Sequence, residues 1–157
     1  MFLGPIPAYP NLLPAKLKGA KVTRVTNRLP GGSETILVVE DDASVRNSIK
    51  RILARHGYTV LEARHGVDAL QVIDETKRPI DLVMTDLMMP QMSGRELIPE
   101  LQALSKPPRV VLMSGGQTVM RRDSLPPGTG FLHKPFTVEE LLQTVRATLE
   151  AKSITPT

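Results

Sequence analysis

Five short apolar runs, four of them followed by a stretch of helical periodicity, constrain this chain more than any other feature. The runs are Thr35–Val39, Thr59–Ala63, Ile80–Thr85, Arg109–Met113 and Gly130–His133. A strand with one face in water alternates apolar and polar residues. These runs are largely apolar on both faces, so both faces must be covered. Val45, Ile49, Ile52 and Leu53 mark the first helix, which Gly57 stops. Val67–Glu75 reads as the second, with Leu70 and Ile73 inward. Ser93 with Glu96 has capping-box spacing and opens a third through Leu97, Leu101 and Leu104, where Pro99 predicts a kink or a late start. Thr137 with Glu140 is a second such box and opens a last helix through Leu141, Leu142, Val145 and Leu149. Strands alternating with helices over about 115 residues predict an α/β fold, a doubly wound five-stranded parallel sheet. In such folds ligands bind beyond the carboxyl ends of the strands, which decides where to look for chemistry.

Composition bounds the remaining possibilities. The chain has no cysteine, so no disulfide staples it, which fits a reducing cytoplasm. No apolar run approaches the roughly 18 residues of a membrane span, and no membrane contact is expected. The net charge of +4 and a pI near 9.6 invite a nucleic-acid reading, but the charge is not where the fold is. Residues 1–33 carry Lys16, Lys18, Lys21, Arg24 and Arg28 and no acid, which leaves −1 for the rest of the net +4. That Pro-rich stretch, ending in Pro30-Gly31-Gly32-Ser33, reads as a flexible basic tail or linker. Nucleic acid is not an expected partner. The folded unit is assigned to residues 34–152, with 153–157 as a short tail; the residues after Leu149 are too few for an output domain.

The strand ends carry an unusual set of groups. Glu40, Asp41 and Asp42 come after the first strand, Asp86 after the third, Ser114 after the fourth and Lys134 after the fifth. Each has an ordinary alternative: an exposed loop acid, a capping acid, a turn serine, a surface lysine. Together, separate segments deliver carboxylates, a hydroxyl and an ammonium to one sheet edge, which no packing need explains. Acids gathered there repel unless a cation intervenes. Oxygen ligands without Cys or a His pair suit Mg²⁺. Charges balance as well, since Glu40, Asp41 and Asp86 bring three negative charges against those of Mg²⁺ and Lys134. His56, His65 and His133 show no ligand spacing and receive no role.

The segments ILVVEDD (36–42), DLVMTDLMMPQMSG (81–94), VVLMSG (110–115) and FLHKPF (131–136) resemble the receiver domain of response regulators in two-component systems. The resemblance implies a flavodoxin-like fold and a phosphoacceptor signalling domain rather than a dedicated enzyme. It implies that Asp86 accepts a phosphoryl group from a histidine kinase or histidine phosphotransfer protein. Asp41 and Asp86 would bind Mg²⁺ directly, Glu40 through a water, and the Met88 carbonyl would be the backbone ligand. Ser114 and Lys134 would hold the phosphoryl group, and Phe131 stands at the switch aromatic. A cis bond before Pro135 would aim Lys134 inward. Asp42 matches no ligand position and is expected to cap the first helix.

Two departures matter. Between Ser114 and Lys134 only Gln117–Ser124 has room for a fourth helix, and a weak one, flanked by Gly115-Gly116 and Pro126-Pro127-Gly128. This resembles receivers of hybrid histidine kinases, and Gly115–Gly130 is expected to respond to phosphorylation as a loop. Met88 and Gly116 offer no polar side chain to position a hydrolytic water, so loss of the phosphoryl group is expected to be slow. Competing classes fare worse. An aspartyl-nucleophile phosphohydrolase resembling the haloacid dehalogenase group needs a second Asp where Met88 stands. A dinucleotide module needs a Gly-rich turn where Glu40-Asp41-Asp42 stand.

Overall fold

The computed structural model describes residues 28–116 and 125–151. Residues 1–27 of the basic tail, the weak helix expected at Gln117–Ser124, and residues 152–157 lie outside the described residues.

Five strands and four helices are described: β1 (Thr35–Val39), α1 (Ala43–Arg55), β2 (Thr59–Ala63), α2 (Gly66–Glu75), β3 (Leu82–Asp86), α3 (Gly94–Gln102), β4 (Arg109–Gly115), β5 (Gly130–Lys134) and α4 (Val138–Glu150). All strand pairs are parallel, in the order β2-β1-β3-β4-β5. The pleat sends alternate residues of each strand to opposite faces. Ile36, Val38, Leu82, Met84, Val111 and Met113 therefore pack with Ile49 and Leu53 of α1 and Leu141, Leu142 and Val145 of α4. Leu37, Val39, Val83, Val110 and Leu112 pack with Ala69 of α2 and Leu97, Ile98 and Leu101 of α3. The apolar runs of the three central strands are thus buried on both sides, as their composition predicts, while the edge strands β2 and β5 are mostly half-buried. Among the described residues no helix is long and apolar enough to cross a membrane.

Helix starts obey the capping chemistry. Asp42 caps α1, its carboxylate accepting from the N–H groups of Ser44 and Val45. Both capping boxes form, Ser93 with Glu96 on α3 and Thr137 with Glu140 on α4. The capped first turn places the start of α3 at Gly94, so the late start expected from Pro99 does not occur, and the helix continues past Pro99 to Gln102.

Residues 28–34 are held against the amino-terminal edge of the sheet, opposite the strand ends that carry the acids. Leu29 packs against the first core cluster. The Gly32 N–H donates to the carbonyl of His56 at 3.0 Å, and Arg146 on α4 pairs with Glu34 at 2.8 Å. Gly57 adopts φ +96°, and a Cβ there would lie 2.4 Å from the Gly32 carbonyl oxygen. The boundary drawn between residues 33 and 34 thus runs through a segment bonded to the domain.

Candidate functional site

The carboxyl end of β1 delivers Glu40 into the protein and Asp41 to the surface. Glu40 is 1% exposed, and both carboxylate oxygens are engaged. Oε1 accepts from the Asp42 N–H at 3.1 Å, and Oε2 from the Lys134 ammonium at 2.5 Å. Burial pushes the Glu40 carboxyl above its ordinary range, with Asp86 adding to the push; Lys134 and the Asp42 N–H offset part of it.

Asp86 ends β3 and is 8% exposed. Its Oδ1 accepts from the Met88 N–H at 3.0 Å and its Oδ2 from Lys134 at 2.6 Å. The backbone beneath it is closely fitted. A Cβ on Gly94 would lie 2.2 Å from the Asp86 carbonyl oxygen, which also accepts from the Thr85 hydroxyl at 3.1 Å. Only glycine lets the start of α3 approach so near.

Lys134 arrives from the far end of the sequence, at the close of β5, and the Lys134–Pro135 peptide is cis. Its ammonium bridges Glu40 and Asp86. Burial pulls its pKa down, but the hydrogen bonds to Asp86 and Glu40 outweigh that, and the net shift is upward. The bridging ion pairs hold the lysine charged. The carboxylate oxygens of Glu40, Asp41 and Asp86 lie within 4.8 Å of one another. Three acids against one ammonium leave a surplus of negative charge in a partly buried place. Such an all-oxygen donor set, with one exposed acid on its open side, fits a hard dication that keeps some of its waters.

The other expected residues take different places. Met88 is exposed at 69%, and its N–H, bonded to Asp86, is its described polar contact. Ser114 is buried at the end of β4. Phe131 is half-buried against the second core cluster. The structure adds a residue to which the sequence assigned no role. His133 stands opposite Ser114 in the β4–β5 register, with Nδ1 3.4 Å from the Ser114 hydroxyl oxygen. Its ring stacks on that of Phe131, centroids 6.3 Å apart and planes at 29°. Strand alternation places Phe131 and His133 on one face, and this was the available signal.

Comparison with known proteins agrees with the geometry. A family model described as the response regulator receiver domain matches residues 36–146. The sensor kinase CckA of Brucella abortus (strain 2308) is 37% identical over 139 residues, covering 87% of this chain and 14% of that protein. The response regulator MprA of Mycobacterium ulcerans (strain Agy99) is 40% identical over 119 residues, covering 74% of this chain and 50% of that protein. The chain thus spans half or less of the length of these relatives. Among solved structures, the receiver domain of the hybrid histidine kinase CckA superposes with a TM-score of 0.63 at 32% identity, covering 74% of this chain and 99% of that one. The chemotaxis response regulator CheY4 of Vibrio cholerae gives 0.64 at 26% identity, covering 74% and 99%. Matched along most of its described length, with acids and a lysine meeting at the strand ends, this chain belongs to the response regulator receiver domain family, a signalling module of two-component systems.

Proposed function

We propose that Asp86 is the phosphoacceptor of a two-component phosphorelay, receiving its phosphoryl group from phosphohistidine on a histidine kinase or histidine phosphotransfer protein. The observation that carries this reading is the Lys134 ammonium held between Asp86 and Glu40, with Asp41 beside them. A carboxylate oxygen of Asp86 attacks phosphorus. The P–O bond forms as the P–N bond to the donor imidazole breaks, and the imidazole leaves as the neutral base after taking up a proton. Lys134 then has a phosphoryl oxygen available in place of a carboxylate, with no change of position demanded of its backbone. Ser114, at the end of the neighbouring strand, donates its hydroxyl to a second phosphoryl oxygen, and Phe131 follows the movement of Ser114.

Mg²⁺ is the cofactor that the donor set suits. Asp41 and Asp86 would hold it directly, with the Met88 carbonyl as a backbone ligand and Glu40 acting through a water. Bound there, it would neutralise the carboxylate surplus and the charge building on the transferred group. The folded unit spans 34–152 in this reading, and residues 28–33 are its docked lead-in. The short connection between β4 and β5 and the likeness to the CckA receiver favour a receiver of the hybrid-kinase type.

The test is chemical. Incubated with Mg²⁺ and acetyl phosphate, the chain should gain one acyl phosphate, labile to hydroxylamine and localised to Asp86 by mass spectrometry. Undiminished labelling of Asp86→Asn would remove the assignment.

A further inference from the structure

His133 touches both groups that must move if phosphorylation is to be felt away from Asp86. Ser114 is 2% exposed, and among the described residues His133 Nδ1 is the hydrogen-bond partner its hydroxyl has. Phe131, two residues back on the same strand, stacks on the same imidazole. From this we infer that His133 is a positioning residue, a latch that holds Ser114 and Phe131 in their unphosphorylated arrangement and sets how readily they leave it. The inference rests on the phosphoacceptor reading of Asp86.

The physical argument is one of competition. At 3.4 Å the Ser114–His133 contact is long for an O–H···N hydrogen bond, hence weak. The hydroxyl donates to Nδ1 when the imidazole carries its proton on Nε2. A phosphoryl oxygen is an ionised acceptor and outbids a neutral nitrogen about twofold in strength. The hydroxyl therefore leaves His133 when Asp86 is phosphorylated, and the His133–Phe131 stack is no longer tied to Ser114. Without the Nδ1 acceptor the buried hydroxyl has no described partner in the resting state, and a buried polar group without a partner raises the energy of that state. Losing the latch must consequently favour the phosphorylated arrangement. A residue that merely supported the fold would act in the opposite direction.

Two substitutions separate the nitrogen from the ring. His133→Phe keeps an aromatic face for Phe131 and removes the acceptor. His133→Asn places an amide oxygen near the position of Nδ1 and removes the ring. Binding of beryllofluoride, a phosphoryl mimic, to the full chain with Mg²⁺ is read by calorimetry, with urea midpoints recorded as a check on folding. His133→Phe should bind on the order of threefold to tenfold more tightly than the parent, the range of one neutral hydrogen bond, and His133→Asn should stay within about twofold of it. Equal or weaker binding by His133→Phe, or an equal gain in both variants, overturns the latch. Asp86→Asn serves as the separate arm. If it binds the mimic as the parent does, the phosphoacceptor reading falls, and the latch falls with it; if it abolishes binding, the result for His133 stands on its own.

Discussion

Removing the ammonium of Lys134 tests the electrostatics of the site most directly. Lys134→Met keeps much of the aliphatic stem and deletes the charge that pairs with Glu40 at 2.5 Å and Asp86 at 2.6 Å. Three carboxylates then remain within 4.8 Å of one another. At an effective dielectric of about 20, each pair at that separation repels by roughly 3–4 kcal/mol. The protein need not bear all of it, because Glu40 can take up a proton. Starting from an ordinary value of 4.5, protonating it at pH 7.5 costs about 4 kcal/mol, at roughly 1.36 kcal/mol per pH unit. That cost is a ceiling on what one forced charge contributes, and it agrees with the ~3–5 kcal/mol typical of breaking a buried pair. In EDTA at pH 7.5 the variant should therefore lose about 3 kcal/mol, or on the order of 10 °C in Tm for a domain of this size. The sign of the pH dependence is set by the direction of the shift. With Lys134 gone, the folded pKa of Glu40 rises further above its unfolded value. The contribution of Glu40 is then fully present below about pH 4.5 and is lost as pH rises through the folded value. The deficit of the variant should shrink to about 1 kcal/mol or less near pH 5. Mg²⁺ should raise the midpoint of the variant more than that of the parent, since it replaces the missing charge. Chemical denaturation at several pH values, with EDTA or Mg²⁺, measures all of this. A deficit under about 1 kcal/mol at pH 7.5, or one that does not change between pH 5 and 7.5, would refute the reasoning.

Other parts of the structure carry their own expected outcomes. The Arg146 hydrogen bond holds the Glu34 carboxyl below its ordinary range, so its stabilisation is present above about pH 4.5 and is lost as pH falls through the folded value; Glu34→Gln should flatten the acid limb of the urea midpoint against pH. Gly94→Ala puts a methyl 2.2 Å from the Asp86 carbonyl oxygen, and should cost more than about 2 kcal/mol while slowing labelling of Asp86 by acetyl phosphate. Met88→Asn introduces a polar group beside Asp86 that can orient a water, and should speed loss of the phosphoryl group; an unchanged half-life of the acyl phosphate would count against slow hydrolysis being due to Met88.

The legible parts of this molecule are those whose signal is local. Leu37-Val38-Val39 and Leu82-Val83-Met84 are apolar on both faces, so period and composition alone require cover on both sides of the sheet. Ser93 with Glu96 and Thr137 with Glu140 announce helix starts because both partners of a capping box lie within one helical turn. Each site acid is read from the strand it ends, and a parallel sheet has only one carboxyl edge. Glu40, Asp86 and Lys134 had to converge, although 94 positions separate Glu40 from Lys134. What the sequence withheld depends on register and close approach. Gly31-Gly32 reads as linker punctuation, because nothing nearby reveals that the α1–β2 turn comes up against it. Pro99 reads as a kink or a late start, because nothing local shows that the helix begun at Gly94 runs on past it to Gln102.

His133 is the sharper case, and it shows why the site was legible while its control was not. A lone histidine on an edge strand has no ligand spacing, and alternation places it on the face of Phe131 without naming its cross-strand partner. Its pairing with Ser114 arises because β4 and β5 align Val111 with Gly130, a register that sets Ser114 against His133 three residues on. A Cβ at Gly130 would lie 2.2 Å from the Thr148 hydroxyl and 3.0 Å from a Val111 methyl, so glycine is what lets β5 lie this close to α4. The chemistry of the site is written in residue identities at strand ends. The Ser114–His133 contact depends on which residues two separate strands set side by side.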